Sequence, residues 1–217
     1  MKIITNNSNI TNTKIPYTSF AGRKVENSLS KFLDEIMDSD SYEKFQNAIK
    51  KLLVTDKNAK YVDVNLIKSG DYFFKIDLAR DSKNTGLILK ALKEKGISII
   101  PEYIKTVENK DGFGLTVMKI DGAKNGDLLS YDKNHHLLTI EAKDKAYNDI
   151  KYLMNIGIIN PEIFEKPNQL KIVPGIPHKI VCENWSCLKT LDDYLLEYAP
   201  ESSKEKLLEE IKRKIYK

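Results

Sequence analysis

The sequence predicts a mixed α+β fold, because patterns typical of helices and of strands alternate along most of its 217 residues. Two early segments, Val25–Met37 and Tyr42–Leu53, have apolar residues at helical spacing. Two strand-like runs, Lys60–Ile67 and Tyr72–Leu78, then flank a turn with a Gly-Asp pair at Lys68–Asp71. This arrangement predicts a β-hairpin whose tight turn uses glycine's tolerance of positive φ.

Shorter elements are predicted after the hairpin. Leu87–Leu92 has helical spacing, and Gly96 is expected to end that helix. The runs Ile99–Glu108 and Gly114–Ile120 predict an antiparallel strand pair that turns at Lys110–Gly112.

The second half of the chain is expected to be mainly helical. Ala142–Gly157 has apolar residues at helical spacing and predicts a longer helix. Prolines at 161, 167, 174 and 177 exclude a long regular element in that region. Two final helices are expected on either side of Pro200.

Two capping pairs are predicted at helix N-termini. Asp40 with Glu43 suits the second helix of the chain, and Ser202 with Glu205 suits the last one. The buried stripe expected on the last helix consists of Leu207, Leu208, Ile211 and Ile215.

The composition excludes several classes of protein. Apolar residues make up 41% and charged residues 30%, which is ordinary for a globular domain. The net charge is +4 with acids and lysines interleaved, so a nucleic-acid-binding face is not expected. No apolar run approaches the roughly twenty residues of a membrane span. Cys182 and Cys187 are not accompanied by a second cysteine pair, which favours reduced thiols over a zinc site. Separately, the protein is expected to be a monomer.

The first twenty residues differ from the rest of the chain. They contain ten Asn, Thr or Ser residues, and the first acid of the chain is Glu26. Such a segment has too little apolar surface to order itself. Residues 1–24 are therefore expected to be a flexible polar leader. Two interpretations remain open: a frayed terminus, or an unfolded leader that resembles bacterial type III secretion signals.

Three segments resemble small kinase-like effectors that enteric bacteria inject into host cells (the OspG/NleH group). LLVTDKNAKYVDVNLIKSGDYFFKIDL (Leu52–Leu78) is similar to their phosphate loop, return strand and lysine strand. GLTVMKIDGAKNGDLL (Gly114–Leu129) is similar to their hinge, and NIGIINPEIFEKPNQLKIV (Asn155–Val173) to their catalytic loop. The resemblance covers Leu52 to Asn184 and rests on the order and spacing of the segments.

The resemblance implies a two-lobed protein-kinase-like fold. A small antiparallel-sheet N-lobe would span residues 54–122, and a helical C-lobe would span residues 123–217. A helical addition over residues 25–53 would precede them, so that residues 25–217 form a single domain.

The same resemblance implies site residues. Lys75 matches the lysine that contacts nucleotide phosphates, and Glu162 stands at the place of the catalytic carboxylate. Asn168 and Glu183 match the magnesium and cofactor ligands, with Cys182 as the alternative to Glu183. ATP and magnesium are the cofactors implied if the site is active. Asn168 is one residue farther from Glu162 than the kinase spacing.

Other positions depart from the kinase pattern. Glycines allow backbone N–H groups to approach phosphates, and the segment Thr55–Lys60 has none. Asp56 would place a negative charge near an anionic ligand. The helix after the lysine strand offers only Asp81 and Glu94 as acidic partners for the lysine, and both lie at its ends.

Three function classes remain open. The departures favour a pseudokinase-type protein that binds and modulates a host signalling protein, of a ubiquitin or kinase pathway by family precedent. The retained residues allow an active, divergent ATP-dependent transferase. A transferase of another fold is the third class. The resemblance implies a protein made in the bacterial cytoplasm and secreted into a host cell.

Deleting residues 1–20 is expected to leave the melting temperature nearly unchanged, because the segment has no periodic apolar stripe to pack. The deletion is also expected to abolish export if the segment is a secretion leader. Thermal denaturation and a translocation assay measure the two effects. A large drop in melting temperature would show that the segment packs on the domain.

Overall fold

A five-stranded antiparallel sheet is the centre of the fold. The structure, a computed structural model, describes residues 20–120, 128–165, 169–175, 177–185 and 188–217, with side chains from residue 29 onward. The described helices are α1 (Phe20–Asp38), α2 (Tyr42–Thr55), α3 (Ala79–Glu94), α4 (Tyr131–Asn134), α5 (Ile140–Asn155), α6 (Glu162–Glu165), α7 (Leu191–Tyr198) and α8 (Lys204–Ile215). The described strands are β1 (Lys60–Asp63), β2 (Leu66–Ser69), β3 (Tyr72–Leu78), β4 (Glu102–Glu108), β5 (Phe113–Lys119), β6 (Leu129–Ser130), β7 (Ile158–Ile159), β8 (Leu170–Val173), β9 (Lys179–Cys182) and β10 (Lys189–Thr190).

The strands of the main sheet lie in the order β1-β2-β3-β5-β4, so β3 is the central strand. Every neighbouring pair is antiparallel. Two smaller sheets, β10-β7 and β6-β8-β9, belong to the second half of the chain. The fold class is therefore mixed α+β, with short strands where the prolines between residues 161 and 177 exclude longer ones.

The predicted hairpin is a three-strand meander. The run Lys60–Ile67 divides into β1 and β2 because the chain turns at Val64 and Asn65. Val64 fits the alternating apolar pattern, yet its side chain is 91% exposed at the tip of this turn. The tight turn at Gly70 is confirmed, with φ of 59°.

The two faces of the sheet pack against different parts of the molecule. Alternate residues of a strand point to opposite faces, so Phe74 and Phe73 of β3 belong to different hydrophobic clusters. The Phe74 cluster joins one face to α1 and α2 through Phe32, Leu33, Ile36, Phe45, Ala48, Ile49 and Leu52. The Phe73 cluster joins the other face to α3 and to the helical second half.

Helix α3 is longer than the predicted short helix over Leu87–Leu92. It begins at Ala79 and packs Ser82, Thr85, Gly86, Leu89 and Leu92. Leu87, the first apolar residue of the run with helical spacing, is 67% exposed. The reason is that the first two turns press small and polar residues against the sheet, which sets the buried face of the whole helix. Gly96 follows the helix with φ of 75°, as predicted.

The long helix α5 is tied to the sheet region by one carboxylate. Asp149 is buried, and its Oδ2 accepts hydrogen bonds from the Ser98 N–H (2.6 Å), the Ser98 hydroxyl (2.8 Å) and the Ile99 N–H (3.1 Å). A carboxylate that accepts several hydrogen bonds at a buried site holds both segments in one register. The segment before β4 is therefore fixed on α5.

Both predicted capping pairs are wrong by one residue. Ser41 rather than Asp40 caps α2, and Ser203 rather than Ser202 caps α8. The Ser41 hydroxyl accepts a hydrogen bond from the Lys44 N–H, and the Ser203 hydroxyl accepts one from the Lys206 N–H, both at 3.3 Å. The residue before each serine does not make this capping bond. On α8, Leu207, Ile211 and Ile215 are buried as expected.

The N-terminal helix starts earlier than predicted. It begins at Phe20, five residues before the predicted start at Val25, so its first turns occupy part of the proposed leader. Residues 1–19 of that leader lie outside the described residues. None of the helices that the structure describes is long and apolar enough to cross a membrane.

We expect Gly114→Ala to destabilise the fold, because α3 lies directly on this glycine of β5. An added Cβ would lie 2.5 Å from Ser82 Oγ, 2.6 Å from Ser82 Cβ and 2.9 Å from Ala79 Cα. Overpacking of this kind costs about 1–3 kcal/mol, or roughly 2–10 °C in melting temperature for a chain of this size. Gly175→Ala is the control, since its nearest atom is at 3.4 Å. Equal melting temperatures for the two variants would contradict this packing.

Candidate functional site

Lys75 lies near the middle of β3 and points toward α3. The residue is 4% exposed. Its Nζ forms an ion pair with the Asp77 carboxylate and donates a hydrogen bond to Thr85 Oγ1 at 3.3 Å. Asp77 is two residues along the same strand and therefore shares the face of Lys75. The lysine has its charge partner within its own strand.

Helix α3 faces this lysine with hydroxyls and not with an acid. Asp81 and Glu94, the two acids considered from the sequence, are exposed. Thr85 is the α3 residue that reaches Lys75. The Ser82 carbonyl accepts hydrogen bonds from Thr116 Oγ1 (3.1 Å) and Thr106 Oγ1 (3.3 Å) and thereby holds the start of α3 on β4 and β5.

The segment predicted to be the phosphate loop does not lie next to Lys75. Thr55 ends α2, and Asp56 binds the Ser69 hydroxyl at the far end of β2. Lys75 pairs with Leu66 at the other end of β2, about 10 Å away at the rise of a strand. The Asp56 carboxylate is therefore held at the Ser69 end of β2, and Lys75 lies at the Leu66 end. The turn nearest to Lys75 is the β1–β2 turn, which also lacks glycine.

A second polar cluster surrounds the end of β9. The Asn160 amide Nδ2 donates to the Asn184 carbonyl at 2.7 Å and contacts Cys182 Sγ at 3.4 Å. Asn160 Oδ1 accepts the Glu162 N–H at 3.1 Å. Asn160 thus joins the start of α6 to the residues that follow β9, although the sequence analysis did not single it out.

The structure brings Glu162 and Glu183 to the same region, where the charges of both act on Cys182. Burial raises the pKa of the Cys182 thiol, and the charges of Glu162 and Glu183 raise it further against a hydrogen bond at Asn184. Within the described residues, Cys182 forms no disulfide and is buried. Cys187 lies outside the described residues.

The two predicted carboxylates have different environments. Glu162, at the start of α6, is 3% exposed. Glu183 is less buried and lies 3.7 Å from the Lys171 ammonium. Asn168, the other predicted magnesium ligand, lies outside the described residues. Within the part of the chain that the structure describes, no three His, Cys, Asp or Glu side chains are grouped to hold a metal ion.

The lysine and the two carboxylates form separate groups. Among the described residues, the polar contacts of Lys75 go to Asp77 and Thr85 and not to Glu162 or Glu183. The sheet and the second cluster meet through another pair, in which Asn184 Nδ2 donates to Asp63 Oδ2 at 2.8 Å. No local pattern in the sequence indicates this contact, because 121 residues separate its partners. Asp77, in contrast, could have been inferred from strand alternation.

We expect Asp77→Asn to destabilise the protein by about 3–5 kcal/mol, because it leaves the buried Lys75 ammonium without its charge partner. Lys75→Met should cost less, since Asp77 is the more exposed of the two (18% against 5% for the side chains). The double variant with Lys75→Met and Asp77→Asn should regain most of the unfolding free energy that Asp77→Asn loses. Denaturant unfolding of all four proteins measures the coupling.

The exposed pair of Lys83 and Glu108, 2.8 Å apart, is the matched control. Its coupling should be below about 1 kcal/mol. A coupling this small for Lys75 and Asp77 would show that solvent screens their charges.

Comparison with known proteins shows a distant structural likeness. No protein-family model and no curated protein sequence matches the chain. Among solved structures, the chain is similar to the Cydia pomonella granulovirus kinase PK-1, with 12% sequence identity and a TM-score of 0.37. The match covers 67% of this chain and 57% of that kinase. A likeness this distant assigns no role to any residue.

Proposed function

We propose that this protein has a divergent, two-lobed kinase-like fold and acts by binding a partner protein and not by efficient phosphate transfer. The observation that carries the proposal is the Lys75–Asp77 ion pair. A phosphate at this lysine would have to displace or tolerate the Asp77 carboxylate. Phosphoryl transfer depends on positioned positive charge, and here that charge is already offset.

The packing of the same sheet face supports this proposal. Leu66, Phe73 and Met118 are almost completely buried on the face that carries Lys75. They belong to one hydrophobic cluster with Leu170 and Ile172 of β8. A nucleotide base needs an apolar slot at such a position, and these side chains fill the space with protein atoms.

The environment of Glu162 also disfavours catalysis. A general base must lie within hydrogen-bonding reach of the substrate hydroxyl. Glu162 is 3% exposed, next to the buried Cys182 region, and its N–H is bound to Asn160. A substrate would reach this carboxylate only after the start of α6 moved.

We further propose that the protein is a secreted bacterial effector whose partner is a host signalling protein. This proposal rests on the resemblance of Leu52–Asn184 to kinase-like effectors and on the polar, acid-poor first twenty residues. Family precedent favours a partner from a ubiquitin or kinase pathway. An active transferase is the alternative, and the Lys75–Thr85 contact favours it, since the lysine still faces the helix that follows it.

A titration with MgATP in a thermal-shift assay tests the proposal. A ligand at a hundred times its dissociation constant stabilises a protein by about 2.7 kcal/mol, or roughly 5–10 °C here. We expect a shift below about 1 °C and no transfer of radiolabelled γ-phosphate to a generic protein substrate. The control is a catalytically competent kinase in the same assays.

The active-transferase alternative predicts the opposite result. The wild-type protein would then show both a shift and transfer, Lys75→Met would remove both, and Glu162→Gln would lower transfer without removing the shift. That pattern would replace the proposed function with an enzymatic one.

A further inference from the structure

A groove lies between the start of α5 and the start of β9, away from the candidate site. It has a volume of about 510 Å³, and its most buried lining residues are Ala146 of α5 and Ile180 of β9. Pro177 and Lys179 line it nearer to solvent. Clefts of about 300–1,000 Å³ with apolar walls commonly bind ligands. None of the residues that line this groove belongs to the Lys75 group or to the second polar cluster.

Strand β9 contributes to one wall of the groove and is an edge strand of its described sheet. The order of that sheet is β6-β8-β9, so β8 covers one side of β9. On this side, the Glu183 N–H donates to the Gln169 carbonyl at 3.3 Å. On the other side, the Cys182 N–H donates to the Ile99 carbonyl at 2.8 Å. Backbone groups alternate between the two sides along an antiparallel strand, so the N–H and C=O of Ile180 point away from β8, as those of Cys182 do.

The outward backbone groups of Ile180 are available to a ligand. Within the part of the chain that the structure describes, no hydrogen bond reaches this N–H or this C=O. Ile180 is 4% exposed and lines the groove. Buried backbone groups are nearly always paired with protein, water or a ligand. The groove therefore offers one donor and one acceptor to the main chain of an incoming segment.

The charge that the groove offers to a ligand is positive. Lys145 forms an ion pair with Asp149. The Glu141 carboxylate is held at the start of α5, where its own backbone N–H and the Thr139 hydroxyl bind it and lower its pKa. Lys179 is exposed and forms no ion pair with any described residue. A carboxylate on a ligand would therefore find its charge partner at Lys179.

We propose that this groove binds an extended, acidic segment of the partner protein, which adds to the free edge of β9 and places a carboxylate at Lys179. The inference rests on the proposed function, in which the protein acts by binding a partner protein. Strand addition obtains affinity from main-chain hydrogen bonds and specificity from alternate side chains. A helix bonds its own backbone groups, so an extended segment is the form that uses both groups of Ile180. The apolar surface of Ala142 and Ala146 suits small apolar side chains at alternate positions of that segment.

A displayed library of random dodecapeptides, selected against the immobilised full-length protein, supplies the probe. We expect the enriched sequences to alternate apolar with polar residues and to contain an acid. A synthetic peptide of the most enriched sequence is then titrated into the wild-type protein and two variants. Ala142→Leu fills the groove, and Lys179→Glu reverses its charge. Each should weaken binding by about tenfold or more.

Ala91→Leu and Lys133→Glu are the matched controls, because both positions are exposed and neither lines the groove. Their dissociation constants for the peptide should stay within about twofold of wild type. Melting temperatures show whether each variant folds. Lys179 is exposed, so Lys179→Glu keeps the test valid if Ala142→Leu fails to fold.

Methylation of single backbone nitrogens of the peptide tests strand addition itself. A strand presents every second N–H to its neighbour. Methylation should therefore weaken binding by about tenfold at alternate positions of the bound stretch, and the positions between them should tolerate it.

Three results would overturn this inference. A selection that enriches no peptide would show that the groove does not bind such segments. Peptides that bind the Lys179→Glu variant as tightly as the wild-type protein would have their site elsewhere. Methylation effects without a two-residue period would exclude strand addition. Tight MgATP binding and phosphate transfer by the wild-type protein would instead refute the proposed function, while the peptide titrations would still report on the groove.

Discussion

Strand alternation along β3 is the constraint on which the rest of the structure depends. This strand lies at the centre of the sheet, and both of its faces are covered. Phe74 on one face holds α1 and α2, and Phe73 on the other joins the sheet to the second half of the chain. A shift of one residue would exchange the two faces and separate both cores from their partners.

The same alternation explains why Lys75 is neutralised. A lysine on the inner face of a central strand loses its water and needs a charge partner nearby. Asp77 provides it, because it is the next residue along β3 on that face. The pair lets the lysine remain buried without an acid from α3, whose first two turns pack Ser82, Thr85 and Gly86. The ion pair stabilises the buried lysine, and it also offsets the positive charge that would otherwise attract a phosphate.

The second polar cluster, like the Lys75–Asp77 pair, consists of buried polar groups that bind one another. Asn160 connects the start of α6 with the residues after β9 through side-chain and backbone hydrogen bonds. A buried hydrogen-bond network of this kind favours a single arrangement of the segments that it joins. Glu162 and Glu183 are brought together by it, yet they lie in a region arranged for packing around Cys182 and Trp185. The candidate site is therefore two well-packed clusters that meet at Asp63 and Asn184.

The sequence by itself determined the local elements of this protein, because their causes are local. Apolar periodicity predicts α2, α5 and α8, and the glycines that permit positive φ mark the turns at Gly70 and Gly112. Only the tertiary structure decided the buried stripe of α3, the division of β1 from β2, and the contacts of Lys75 and Asn184. These features depend on which surfaces meet across large sequence separations, and no spacing rule within one segment contains that information.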